Sequence, residues 1–193
     1  MKKKIFLILA LLITGCEIFT TREAENPAQS RNTWIPATTI DILIENLKSS
    51  LSEKSTENYL KCFIDSALTK RSFSFIPSTE SYANYSALFS NWTLQNEKNY
   101  FENLKSKIKE GGTITLSVFN IDRGTIQGDS VIYSADYSLV VDHSVESFPK
   151  EFRGHLQFTL FRNLKGEWSV LNWKDSKNTE SFTWSELKGR FSN

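Results

Sequence analysis

Gly111-Gly112 divides the chain by the period of its apolar residues. Upstream, Ile40, Leu43, Ile44, Leu47 and Leu51 recur at helical spacing, as do Phe101, Leu104 and Ile108. Downstream, Ile114, Leu116 and Val118 alternate with Thr and Ser. A period of 3.6 buries one stripe of a helix, whereas a period of 2 buries one face of a strand. Helices and strands in separate blocks predict an α+β domain, with helices covering the apolar face of an antiparallel sheet.

The first helix is expected to begin at Thr38 or Thr39, good N-cap types, with Asp41 near its positive end. Ser55 or Thr56 caps a second, carrying Tyr59, Leu60, Phe63 and Ile64 on one stripe. Phe73 and Phe75 alternate with serines before Pro77, which predicts a short strand. Helical spacing returns from Ser78 to Lys109 through Tyr82, Tyr85, Leu88, Phe89, Trp92 and Leu94, with a restart at Thr93. Past the glycines, Val131 to Val141 forms a second alternating run and Phe152, Leu156, Phe158 and Leu160 a third. Lys165-Gly166 turns the chain into a fourth, residues 167–174. Four successive strands joined by turns predict an antiparallel meander. A short C-terminal helix starts at Thr183 or Ser185 and carries Trp184, Leu187 and Phe191.

The N-terminus carries a different signal. Lys2, Lys3 and Lys4 precede an apolar stretch from Ile5 to Ile13, too short for the ~20 residues that span a bilayer. Ile13-Thr14-Gly15-Cys16 resembles the lipobox of bacterial lipoproteins. That resemblance implies cleavage before Cys16, diacylglycerol on its sulfur and an exported protein held to a membrane. Each acyl CH₂ buried in the bilayer contributes about 0.8 kcal/mol, so two or three chains anchor firmly. Glu17 follows the cysteine where Asp commonly signals inner-membrane retention, which favours the outer membrane, facing the periplasm, in a two-membrane cell. The expected organisation is a signal peptide over 1–15, a lipidated N-terminus and flexible tether over 16–37, and a single domain over 38–193.

Removing residues 1–15 takes three lysines from 23 basic side chains set against 22 acidic ones, leaving a near-neutral chain. Without a polybasic run or an acidic tail, nucleic acid is not an expected partner. Acylation of Cys16 leaves Cys62 without a disulfide partner, and its place beside Phe63 and Ile64 predicts a small buried hydrophobe.

The order helix, helix, short strand, long helical region, four strands is similar to the nuclear-transport-factor-2-like family, also described as cystatin-like or SnoaL-like. Gly128-Asp129-Ser130, Phe152-Arg153-Gly154 and Trp168-Ser169-Val170-Leu171-Asn172-Trp173 are the stretches that carry the resemblance. It covers about residues 38 to 176, and the C-terminal helix lies beyond it. The resemblance implies a sheet curved into a half-open cone, holding a small molecule, an active site or only core.

Some enzymes of that family place an acidic residue and a tyrosine inside the cone. Burial raises the carboxyl pKa and the phenol steadies an oxyanion. The candidates here are Asp65, with Tyr59, Tyr133 or Tyr137 as donors. The opposing reading makes Asp65 a solvated helix-end residue and the tyrosines packing groups. Strand parity directs His155 and Asp136 outward, and His143 falls in an expected surface turn. Trp168 and Trp173 differ in parity, so one is expected in the core and the other exposed. No phosphate loop, serine elbow or Cys/His metal set is visible, and no metal or cofactor is expected. The sequence thus favours a membrane-anchored binding or scaffolding module, with an envelope protein or a small hydrophobic ligand as partner. The alternative is a cone-pocket isomerase, dehydratase or hydrolase.

Overall fold

The computed structural model describes residues 33–192. The expected signal peptide, Cys16 and most of the expected tether lie outside these residues. The stretch 33–37 is already fastened to the domain: the Asn46 amide donates to the Ile35 carbonyl at 2.7 Å, and Trp168 N–H donates to the Ala37 carbonyl at 2.8 Å.

Helix α1 (Ile40–Ser52) starts where Thr39 accepts a hydrogen bond from Ile42 N–H, and it buries Leu43, Ile44, Leu47 and Leu51. Burying each such side chain stabilises the fold by about 1.5–3 kcal/mol. Helix α2 (Thr56–Lys61) is capped by Ser55 and stops sooner than the apolar spacing suggests. Phe63 and Ile64 lie beyond it in extended backbone, where Phe63 bridges Val170 and Ile64 N–H donates to the Val170 carbonyl. Asp65 caps the one-turn α3 (Ser66–Thr69). Strand β1 (Ser74–Ile76) follows. The helical region after it breaks into α4 (Thr79–Asn84), α5 (Ser86–Phe89) and α6 (Leu94–Ser106). The break before α6 is the capping box of Thr93 and Asn96, each side chain meeting the other residue's backbone N–H.

Strands β2 (Ile114–Asp122), β3 (Ser130–Val141), β4 (Glu151–Arg162) and β5 (Trp168–Ser176) form the meander. β1 adds to its far edge, parallel to β5, so the sheet has five strands in the order β1-β5-β4-β3-β2. The parity of β3 and β4 holds over their length, burying Val131 to Val141 and Phe152 to Leu160 at alternate positions.

That of β5 does not. Thr159 pairs with Asn172 and Leu160 with Val170, so Leu171 is an extra residue in a β-bulge. The bulge brings Trp168 and Trp173 onto the same face and buries both, correcting the expectation of one exposed tryptophan. His143 is a second correction. It is fully buried, because the segment after β3 folds back: its Nε2 lies 2.8 Å from the Pro149 carbonyl, and its ring packs against Phe148 and Phe191. Helix α7 (Trp184–Phe191) closes the domain and buries Trp184, Leu187, Lys188 and Phe191.

Candidate functional site

The helix-covered side of the sheet buries aliphatic and aromatic side chains, and two carboxylates are buried between it and the helices. Glu97 lies one turn into α6 and is fully buried. Lys188 of α7 reaches it from the opposite side, with Nζ 2.6 Å from Oε1 and 2.5 Å from Oε2. Tyr59 Oη donates to Oε1 at 2.5 Å and Trp92 Nε1 to Oε2 at 2.7 Å. Both carboxylate oxygens are therefore doubly satisfied. Burial draws the Lys188 ammonium down to about 8, against the opposing pull of Glu97.

Asp175, on the same face of β5 as Trp173, is the second carboxylate. Ser185 donates to its Oδ2 twice, from N–H at 2.7 Å and from Oγ at 2.5 Å. Tyr137 Oη donates to its Oδ1 at 2.8 Å and accepts from Trp184 N–H at 2.6 Å. Asp175 thus satisfies an orphan N–H in the first turn of α7 and sits at the positive end of that helix. Burial still raises its pKa, the hydrogen bonds from Ser185 and Tyr137 acting the other way. Gly154 stands opposite Tyr137 in the β3–β4 register. A Cβ there would meet Tyr137 Oη and the Ser176 carbonyl at 2.8 Å, so this glycine makes room for the phenol.

Tyr100 joins the two centres, accepting from Trp184 Nε1 at 2.9 Å. Burial pushes the Tyr59, Tyr100 and Tyr137 hydroxyls well above the usual phenol range, and the neighbouring carboxylates push them further. All three are neutral at physiological pH, and Tyr59 and Tyr137 donate to the carboxylates.

The sequence candidates separate accordingly. Tyr59 and Tyr137 both face carboxylates, but these are Glu97 and Asp175. Asp65 is exposed, accepts from Ala67 N–H, and borders a surface groove of about 460 Å³ that Trp34, Leu60, Phe63, Leu68 and Trp168 also line. Tyr133 is buried against Phe158 on the same sheet face as Tyr137, two turns of the pleat away. Asp136 and His155 pair on the other face at 2.9 Å, as parity requires. Cys62 is buried, and burial raises its thiol pKa. Among the described residues no His, Cys, Asp and Glu side chains group as a metal site would require.

The sequence contained a signal for two of the three missed charges. Glu97 shares a helical stripe with Phe101, Leu104 and Ile108, and Lys188 shares one with Trp184 and Phe191. A charge in the middle of an apolar stripe needs a buried partner of opposite sign.

Chemically, a raised carboxyl beside a phenol is an acid–base and oxyanion-donor pair. Here the space such a pair would offer a substrate is taken by Trp184 and Lys188, both 0% exposed.

No protein-family model matches the sequence, and no curated protein does. Solved structures do match. A protein from Streptomyces avermitilis, provisionally described as a dehydratase of the NTF2-like family, has 7% identity and a TM-score of 0.54, over 72% of this chain and 94% of that one. One from Novosphingobium aromaticivorans, provisionally described as an aromatic ring hydroxylase, has 14% identity and a TM-score of 0.54, over 77% and 93%. Another from Novosphingobium aromaticivorans, provisionally described as a scytalone dehydratase, has 10% identity and a TM-score of 0.52, over 75% and 89%. At such identities the likeness speaks for architecture alone. This chain has the α+β fold of the NTF2-like proteins, with a short C-terminal helix.

Proposed function

We propose that the chain is a lipid-anchored module of the cell envelope that binds or scaffolds and does not catalyse. The observation that carries the non-catalytic half is α7: it sets Trp184 and Lys188 at the centre of the cone and engages both buried carboxylates. Support for the anchor comes from the lipobox resemblance at Ile13-Thr14-Gly15-Cys16, and Glu17 favours the outer membrane where there are two. The partner is an envelope protein or a small ligand.

Two measurements test this reading. Cells fed an alkynyl fatty acid should label the protein and place it in the membrane fraction, and Cys16→Ser should lose both. Label that survives the substitution sinks the anchor. Cross-linking in intact cells, followed by purification, should return one companion or ligand in constant ratio; repeated recovery of bare monomer sinks the binding role.

A second reading has one observation in its favour. Asp175 and Tyr137 form the carboxyl–phenol pair that a cone-pocket isomerase, dehydratase or hydrolase would use, and two of the structural neighbours are described as dehydratases. It requires α7 to withdraw. Turnover of any small carbonyl or hydroxyl substrate that disappears in Tyr137→Phe would establish it in place of the first.

A further inference from the structure

The Lys188 ammonium sits in a box of rings. Its Nζ lies 3.8 Å from the centroid of Trp173, 4.1 Å from Phe75, 5.3 Å from Trp92 and 5.4 Å from Tyr100. The Glu97 carboxylate completes the enclosure. Rings presenting their faces to a cation, with one carboxylate to neutralise it, are the chemistry by which proteins recognise alkylammonium groups.

The provenance of these residues separates host from guest. Phe75 is on β1, Trp173 on β5, Trp92 on the link before α6, Glu97 and Tyr100 on α6, and Tyr59 on α2. None comes from α7, which supplies only the ammonium. Glu97 is held by Tyr59 and Trp92, two donors that owe nothing to Lys188. The carboxylate therefore keeps its orientation when the lysine is gone. Trp173 Nε1 is buried without a hydrogen-bond partner, so this indole is placed for its ring face.

We propose that the floor of the cone is an alkylammonium-binding site that Lys188 occupies as a tethered guest, and that a free alkylammonium ligand enters by displacing α7. The inference deepens the binding role above by giving its ligand a chemical class: a primary or N-methylated amine on a short apolar stem, since Lys188 is buried along its whole length.

The full-length chain carrying Lys188→Ala tests the recognition. The cavity left by Cγ, Cδ, Cε and Nζ has the shape of n-propylammonium. Losing the buried partner of Glu97 should lower the melting temperature by roughly 10 °C. Propylammonium chloride at millimolar concentration should restore at least half of that loss and saturate, while 1-propanol and potassium chloride should not. Restoration that is absent, or that 1-propanol matches, overturns the site. The unsubstituted chain tests the displacement. Propylammonium should speed hydrogen exchange of the backbone amides of α7 several-fold and saturably, leaving β3 and β4 unchanged. Exchange that does not respond overturns entry of an outside ligand, and this arm decides alone if Lys188→Ala does not fold. Both arms are independent of fatty-acid labelling and of recovery of an envelope companion. The site can thus fail while the anchored module stands, and the anchor can fail while the site stands.

Discussion

The two faces of the sheet use the same residue types to opposite effect. On the outer face Asp136 meets His155, Asn120 and Asn178, and Glu151 meets Arg153 and Ser138, all with water at hand. Against the inner face the Glu97 carboxylate of α6 meets Lys188, Tyr59 and Trp92, shut off from bulk solvent. Outside, each charge is largely solvated before and after folding, and pairing contributes little. Inside, each charge has lost its hydration, so every partner must be present and correctly aimed. The lesson concerns specificity: the inner network ties the position of α7 to two buried carboxylates at once, Glu97 through Lys188 and Asp175 through Ser185.

The contrast breaks first, if it breaks, at Glu97. Glu97→Gln leaves Lys188 as an uncompensated buried cation and should cost about 3–5 kcal/mol in urea unfolding. Adding Lys188→Met removes that cation, so the double variant should recover at least half of the loss. A double variant no better than the worse single one would mean the two side chains are not coupled.

Next is a pH window. The Lys188 pKa is depressed to about 8 in the folded chain, against the ordinary lysine value near 10.4 when unfolded. Between those values the unfolded state binds more protons, so stability rises with pH. The rise should reach roughly 3 kcal/mol relative to Lys188→Met, followed by urea unfolding from pH 7 to 11. A flat difference would mean that the ammonium is not desolvated.

Asp175→Asn presents an amide N–H₂ to donors that need acceptors, and should cost about 2 kcal/mol by thermal melting, with faster amide exchange at Ser185. Asp175 works with the opposite sign to a salt-bridged aspartate. Its folded pKa is raised, so the stability it contributes is complete below the ordinary aspartate value and is lost as pH rises through the folded one.

The smallest effect belongs outside. Arg153→Ala should change stability by less than about 1 kcal/mol, and less still in added salt. A larger cost would place the outer pairs in the same class as the inner ones and remove the contrast.

Much of this architecture was legible because it rests on period and on caps. Thr39, Ser55 and Thr93 start helices where their hydroxyls suggest, and the alternation of β3 and β4 survives intact. What escaped is what period cannot encode. The bulge at Leu171 inverts the parity of β5 with no glycine or proline to announce it, so the pair Trp168 and Trp173 was misread. His143 is buried by Phe148 and Phe191, residues that no local pattern connects to it. Of the candidate site, Tyr59 and Tyr137 stood on apolar faces that a sequence can show. Glu97, Asp175 and Lys188 are charges, and a sequence reading assigns charges to water unless their stripe is followed to its other members.

The docking of α7 also carries a kinetic consequence. Its hydrogen bonds join positions far apart in the chain: Trp184 to Tyr100 spans 84 residues, Lys188 to Glu97 spans 91, and Ser185 to Ser78 spans 107. The β3–β4 hairpin can form at once, whereas contacts of this separation carry the entropy of closing long loops and come late. A chain whose sheet has formed before α7 docks leaves apolar side chains of its inner face uncovered, the kind of surface that holdase chaperones cover and that aggregation exploits.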